Sequence, residues 1–488
     1  MDDMKIGLPL CVDLDGTLIR SDTLIEGVFT LTDSRRIGPL LVRLARDGRA
    51  GFKQAVAQYA VLDPALLPYN QDLLAYLCRQ KQAGRELVLV TAADRSVAEA
   101  IAKHLGLFDA VLASDGACNL KGRAKAEALL ARYGRKGFVY AGNARSDLAV
   151  WQEAAASILV DTPNGVAAHA RALGPVEAEF GGREHAVRAA LRAMRPHQWV
   201  KNLLVFIPIL TSHDLAEADA WVAAISMFFA FCAVASAIYV VNDLTDLTAD
   251  RRHPRKRLRP FASGALDPLR GLAMAVALGG LGLVLALASG TLFVIAAYAL
   301  ASLSYSLVFK EQPLVDVFLL AGLYTIRLYG GGVATGHTLS LWLLGFSVFL
   351  FLGLALLKRV EELRMLALKE TLAVAAGEAG RTSRRGYLTG DAAILQVFGC
   401  CASFASSLVL ALFVQREATA DLYALPGLLW GVVPLMLFWQ CRLWLSTARG
   451  YMHDDPIVYA SRDWVSWTVG ACVVALLLVA WSNPFGLL

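Results

Sequence analysis

The chain has 488 residues, 57% of them hydrophobic, and a formal net charge of only +5. Its mean hydropathy of +0.51 excludes a single soluble protein and requires a polytopic membrane part. The small net charge carries little meaning by itself, and no nucleic-acid partner is expected. Apolarity is uneven: the chain reads as soluble up to about residue 195, and apolar segments dominate beyond it. The eight cysteines show no paired metal spacing, and four of them (Cys232, Cys400, Cys401, Cys472) lie in apolar runs, so buried reduced thiols are expected. The first residues are acidic and carry no long apolar run. No cleavable signal is expected, and the first domain should stay in the cytosol.

In residues 1–182, short β-rich runs alternate with helical stretches: Leu10–Leu14, Leu87–Val90, Ala110–Ala113, Phe138–Tyr140 and Ser157–Val160. That rhythm predicts a parallel sheet flanked by helices, with chemistry beyond the carboxyl ends of the strands. The first strand ends in D-L-D-G-T-L, from Asp13 to Leu18, where Gly16 lets the backbone turn sharply toward a phosphate. The second ends at Thr91, ahead of Asp94. Lys125 stands near a helix start in G-R-A-K-A-E-A-L. The fourth strand ends in A-G-N-A-R-S-D, which places Asn143 and Asp147 at the same edge.

This set resembles the four motifs of the haloacid dehalogenase-like phosphohydrolases across the whole domain. The resemblance implies an α/β Rossmann-like fold with a small helical cap between Ser34 and Gln82. It makes Asp13 the nucleophile and Asp15 the acid and later base. Thr91 and Lys125 would hold the phosphoryl oxygens, and Asp13, Asp15, Asn143 and Asp147 would hold Mg²⁺. The family's last motif usually opens Gly-Asp, whereas here it is Gly142-Asn143. A neutral ligand at that place lowers the expected metal affinity.

Residues 183–198 are Ala-rich with Arg188, Arg192 and Arg195 at helical spacing, which fits a helix on the membrane surface or an ordinary linker. Trp199 suits the interfacial belt, and Lys201 and Asn202 would lie at the cytosolic rim. From 199 to 488 the chain predicts an all-α domain of about nine transmembrane helices: 199–212, 220–241, 269–288, 290–308, 313–333, 339–357, 393–414, 423–441 and 463–482. Basic residues crowd 251–259, Lys310, 358–385 and 442–462, while the intervening loops hold one, Arg416. The alternation predicts a bacterial-type plasma membrane protein with its N-terminus inside and its C-terminus outside.

Directly after the second span comes N-D-L-T-D-L-T-A-D-R-R-H-P-R-K-R-L-R, from Asn242 to Arg259. If the helix continues, Asn242, Asp246 and Asp250 share one face and rise by about 6 Å each. Oxygen ligands suit Mg²⁺ with phosphate oxygens from a substrate. Arg251, Arg252, Arg255, Lys256, Arg257 and Arg259 outnumber those carboxylates, which points to a site for a Mg-bound diphosphate. Further charged groups recur in the basic loops: Lys310 and Asp316, Lys358-Arg359 with Glu361-Glu362, Arg385 and Asp391, and His453-Asp454-Asp455. Arg327 lies inside an apolar run, where an ionisable side chain is functional or paired.

This half resembles the UbiA superfamily of intramembrane prenyltransferases, whose first motif is the acidic ladder. The second motif of that superfamily has two aspartates four apart, and only Asp316 is evident here. The fuller run ending at Gly264, with Y-S-L-V-F-K, is similar to the decaprenyl-phosphate phosphoribosyltransferase branch. That resemblance implies Mg²⁺ on Asn242, Asp246 and Asp250, with Asp246 and Asp250 central to catalysis. It implies phosphate contacts from Lys201, Asn202, Arg251, His253, Lys256, Arg257, Lys310 and Lys358. The donor would be phosphoribosyl pyrophosphate and the acceptor a polyprenyl phosphate, with the soluble domain removing the 5-phosphate from the product. Two alternatives stay open: a prenyltransferase acting on a small acceptor, and a transporter or scaffold with a regulatory soluble domain. Oligomeric state and lipid length are not written in the residues.

Overall fold

The computed structural model describes residues 7–32, 56, 59–60, 62–115, 119–182, 184–212, 216–375, 386–415, 423–452 and 455–482. Residues 33–55, most of the expected cap, lie outside this set, as do Arg385, Arg416, His453 and Asp454. The chain forms two compact units, Met1–Met194 with Tyr239–Met274, and Arg195–Ile238 with Ala275–Leu488. The units part after Met194, and Tyr239–Met274, which holds the ladder, groups with the first.

The first unit is built on six parallel strands: β1 (Leu10–Val12), β2 (Leu87–Asp94), β3 (Ala110–Ser114), β4 (Val139–Gly142), β5 (Ala156–Val160) and β6 (Val176–Phe180), in the order β3-β2-β1-β4-β5-β6. Leu10 is in register with Leu87 on one side and Val139 on the other. Side chains alternate across the sheet. Leu10, Val12, Leu87, Leu89 and Val139 therefore bury in one layer, and Cys11, Val88, Val90, Phe138 and Tyr140 in the other. Covering both faces explains why the inner strands are apolar at every position. The chain steps outward from β1 to β2 and β3 and then crosses back from β3 to β4 on the other side of β1, so the crevice opens at the carboxyl end of β1. The edge strand β6, V-E-A-E-F, was absent from the expected strands because its alternating glutamates dilute the apolar signal.

Among the described residues of the helical part, seven helices are long and apolar enough to cross a membrane: Ala218–Thr245, Pro268–Ala288, Val315–Thr335, Leu341–Leu368, Thr389–Val414, Pro426–Ala448 and Trp464–Ser482. They fall on seven of the expected spans, and Leu292–Leu307 is a shorter apolar helix at an eighth. The expected first span is corrected: Pro196–Phe206 is a 3₁₀ helix followed by a five-residue α-helix, Ile207–Thr211. Pro196 and Pro208 each sit at a helix start, where a missing N–H costs nothing and a continuous α-helix through them would be broken.

Small residues let these helices approach closely. A methyl group at Gly331 would run into the backbone carbonyl of Val205, and one at Gly399 into the ring of Trp444. Trp199 turns its indole N–H to Ser236 Oγ at 3.1 Å. The seven described cysteines are all free, but the expectation that they are buried fails at Cys401, Cys441 and Cys472, which are exposed on helix surfaces. Nothing polar is needed to shield a thiol on an apolar helix face.

Candidate active sites

The turn after β1 carries the first site. Asp13 is buried, and its Oδ1 accepts from Lys125 Nζ at 2.6 Å. The same ammonium donates to Tyr140 Oη at 2.9 Å, and that hydroxyl donates to Asp147 Oδ1 at 3.1 Å. Asp147 Oδ2 accepts the backbone N–H groups of Asn143 and Ala144 at 3.0 and 2.9 Å. Asp147 thus serves the loop after β4 with one oxygen and Tyr140 of β4 with the other, and Asn143 is the motif residue that reaches the β1 turn. A Cβ on Gly16, whose φ is +75°, would strike the amide of Asn143. Thr91 is fully buried and accepts from Ala93 N at 2.9 Å through its hydroxyl.

Asp15 lies on the cavity side of this turn, where its Oδ1 accepts from Thr23 N at 2.8 Å. The cavity is lined by Asp15, Asp22, Thr23, Ala93 and Asp94 among others. Burial and the charge of Asp22 push the Asp15 carboxyl up to about 7. Burial pushes Asp13 up to about 6 against the pull of Lys125. A carboxyl that keeps its proton near neutrality beside one held by a lysine is the pairing that acid-assisted phosphoryl transfer to a carboxylate needs.

The ladder segment belongs to the same compact unit. The helix Ala218–Thr245 gives way at Asp246 (φ −90°, ψ 10°) to a short helix, Leu247–Arg252. The i→i−4 bonds nevertheless persist: Asp246 N donates to Asn242 O at 2.9 Å and Asp250 N to Asp246 O at 2.8 Å. Asn242, Asp246 and Asp250 therefore stay on one line. Asp250 is buried and accepts from Arg259 Nη1 at 2.6 Å, and Asp243 accepts from the same nitrogen at 3.2 Å. Asp243, one residue off the four-residue spacing, was missed for that reason.

The surplus cations divide into two sets. Arg251 gives both terminal nitrogens to Glu26, at 2.6 and 2.7 Å, and is committed to that carboxylate. His253 Nδ1 faces the backbone N–H groups of Arg255 and Lys256 at 3.2 and 3.3 Å, shaping the turn. Lys256 and Arg257 are exposed. Among the described residues no three His, Cys, Asp or Glu side chains converge as a metal cage. A cation on the ladder would need asparagine oxygen and substrate oxygens, which is how Mg²⁺ is ordinarily held.

The second unit has its own polar cluster. Lys201 Nζ meets Asp455 Oδ2 at 2.7 Å, Lys358 Nζ reaches the same oxygen at 3.2 Å, and Tyr324 Oη lies 3.3 Å from Oδ1. Burial pushes the Asp455 carboxyl up, but Lys358 and Lys201 outweigh it and hold it well below the usual carboxylate range. Arg327 donates to Asn202 Oδ1 at 2.7 Å and to Tyr298 Oη at 3.0 Å. It is paired with neutral oxygens. Asp316 is fully buried between Arg359 and Tyr387, whose hydroxyl donates to it at 2.6 Å. Tyr324 was missed, since nothing in a tyrosine's spacing announces a carboxylate partner. Lys310 is half-buried on the turn Phe309–Glu311.

These features define a class: a multi-helix membrane enzyme preceded by a hydrolase-type domain. Residues 205–450 match the UbiA prenyltransferase family, and residues 10–152 match the haloacid dehalogenase-like hydrolases. The chain belongs to the UbiA prenyltransferase family, with a haloacid dehalogenase-like domain fused ahead of it. The Sinorhizobium fredii protein described as uncharacterized protein y4nM is 37% identical over 484 residues, covering 97% of this chain and 91% of that one. Nodulation protein NoeC of Azorhizobium caulinodans is 36% identical over 291 residues, 59% of this chain and 90% of its own. Decaprenyl-phosphate phosphoribosyltransferase of Mycolicibacterium smegmatis is 35% identical over 193 residues, 38% of this chain and 60% of that enzyme.

Proposed function

We propose that this chain transfers 5-phosphoribose from phosphoribosyl pyrophosphate to a polyprenyl phosphate and then removes the 5-phosphate in its soluble domain. The observation that carries the reading is the line of Asn242, Asp246 and Asp250 beside a strongly basic segment, within a chain similar to a decaprenyl-phosphate phosphoribosyltransferase. Donor and acceptor together bring a diphosphate and two phosphates. Excess lysine and arginine answer that demand, and a prenyl diphosphate with a neutral acceptor would not create it. The ion pair of Asp316 with Arg359 supports a reading in which the ladder, and not the second motif, carries the metal.

In the transfer, an oxygen of the lipid phosphate attacks C1 of the ribose, the C1–O bond to pyrophosphate breaks, and pyrophosphate leaves. Asn242, Asp246 and Asp250 would hold Mg²⁺, which supplies positive charge against the leaving group. Lys256, Arg257, Lys310 and Lys358 are assigned to the phosphates, while Lys201 and Asn202 brace Asp455 and Arg327. In the hydrolysis, Asp13 attacks the 5-phosphate and forms an aspartyl phosphate as the P–O bond to ribose breaks. Asp15 gives its proton to the departing ribose oxygen and then takes one from the water that releases phosphate. Lys125 offsets the phosphoryl charge, and Asp13 with Asn143 faces any bound Mg²⁺. The distribution of basic loops supports both sites on the cytosolic side and the C-terminus outside. Joining the steps in one chain gives the hydrolase a high effective concentration of its substrate.

The test is direct. Purified protein with labelled phosphoribosyl pyrophosphate, polyprenyl phosphate and Mg²⁺ should yield a ribosylated lipid by mass spectrometry, and its absence rejects the transferase. Asp13→Asn should accumulate the 5-phosphorylated lipid, and an unchanged product rejects the second step.

A further inference from the structure

Glu26 lies in the helix Thr23–Thr32 of the hydrolase-type domain, one turn after the segment that holds Asp15. Neighbours Thr23, Leu24 and Gly27 line the phosphohydrolase cavity, and Glu26 does not. Its side chain is buried, and both carboxylate oxygens are given to Arg251, itself only 7% exposed. A buried carboxylate is costly unless it is paired in good geometry, and this one is paired in fork geometry with the residue after Asp250. The remaining Arg251 donor, Nε, reaches Ala262 O at 3.1 Å. Successive side chains on the helix Leu247–Arg252 thus point to different anchors: Asp250 to Arg259, Arg251 to Glu26. Behind them Gly264, at φ +72°, packs so closely that a Cβ would come 2.7 Å from Arg20 Cβ and 3.2 Å from Pro68 Cβ. Arg192 closes the same loop by donating to Leu258 O at 2.8 Å.

We propose that Glu26 is a positioning residue of the transferase: through Arg251 it fixes the orientation of the Asp246–Asp250 rungs. The hydrolase-type domain then serves the transfer step as a scaffold, independently of any phosphate it removes. The inference rests on the reading of the ladder as a metal-diphosphate site. A buried ion pair that is broken on one side leaves a charge without a partner, so the segment must shift to solvate it. Shifted rungs lose metal-bridged pyrophosphate before they lose the fold.

The experiment titrates inorganic pyrophosphate into the full chain at saturating Mn²⁺, a probe common to every UbiA-type reaction that releases pyrophosphate. Glu26→Gln is expected to weaken pyrophosphate binding about tenfold, within the usual range of a coupling between sites. Arg251→Lys, which keeps the charge but loses the fork, is expected to weaken it less. The reversed pair, Glu26→Arg with Arg251→Glu, should restore binding, which a general loss of stability would not do. Wild-type affinity in Glu26→Gln, or no recovery in the reversed pair, overturns the proposal. Asp246→Ala separates this from the reading beneath it. Unchanged binding in Asp246→Ala rejects the ladder site itself, whereas weakened binding there with intact Glu26→Gln rejects only the positioning role.

Discussion

Lys201 Nζ lies 2.7 Å from Asp455 Oδ2, joining two residues 254 positions apart in the chain. Lys358 reaches the same oxygen from a third element. One carboxylate therefore organises two buried or half-buried ammonium groups, and its removal leaves Lys201 without its counter-charge.

Asp455→Ala is expected to destabilise the helical part by about 3 kcal/mol, the usual cost of leaving a buried charge without its partner. Asp455→Asn, which keeps one oxygen acceptor, should lose less. Thermal unfolding in detergent, followed by tryptophan emission, measures both. Because the folded carboxyl is depressed, its contribution is fully present above the unfolded value near 3.9 and is lost only as pH falls below it.

Arg259 stands between Asp243 and Asp250. Arg259→Met should leave two neighbouring carboxylates in mutual repulsion, costing about 3 kcal/mol. It should also cut pyrophosphate-releasing activity by more than about a hundredfold, since the last rung would lose its orientation. Arg259→Lys should retain most of the stability and less of the rate. Steady-state kinetics with pyrophosphate detection separates the two effects.

The soluble domain should be more stable in mild acid than at neutral pH. Asp13 and Asp15 have folded values raised to about 6 and about 7, above the unfolded carboxylate near 3.9. Between those limits the folded state binds more protons, so stability falls as pH rises from about 4 to about 7. Chemical denaturation from pH 4.5 to 7.5 measures the slope, and Asp15→Asn should flatten it.

Asn143→Asp restores a carboxylate beside the β1 turn, where Gly16 leaves space only because it has no Cβ. Metal affinity at the hydrolase site should rise by about tenfold, since a charged oxygen replaces a neutral one on a hard cation. Phosphatase activity against Mg²⁺ concentration reads this out. An unchanged half-saturating concentration would place the metal elsewhere.

Gly331→Ala should prevent close packing of Val315–Thr335 on the segment Pro196–Phe206. The added methyl meets a backbone carbonyl, which cannot swing aside as a side chain would. A loss of about 2 kcal/mol is expected, comparable to other overpacked cores, and Gly322→Ala, in open space on the same helix, is the control.

The residues alone specify the parallel sheet, the carboxyl edge where Asp13, Thr91, Lys125 and Asn143 gather, and the positions of most apolar helices. Those features follow from local periodicity: two residues per repeat in a strand, unbroken apolarity in a bilayer span, and four-residue spacing in the Asn242–Asp250 ladder. The partners of the charges do not. Arg251 reads as a phosphate ligand until Glu26, 225 residues earlier, closes on it. Asp316 reads as the one evident aspartate of a second motif, and only folding brings Arg359 and Tyr387 to it. Asp147 reads as a metal ligand, and only folding shows that Tyr140 and two backbone amides also donate to its oxygens. A side chain's charge is fixed by its own chemistry, but which opposite charge reaches it first depends on chain segments brought together only by folding, and the energy of that encounter falls steeply with distance.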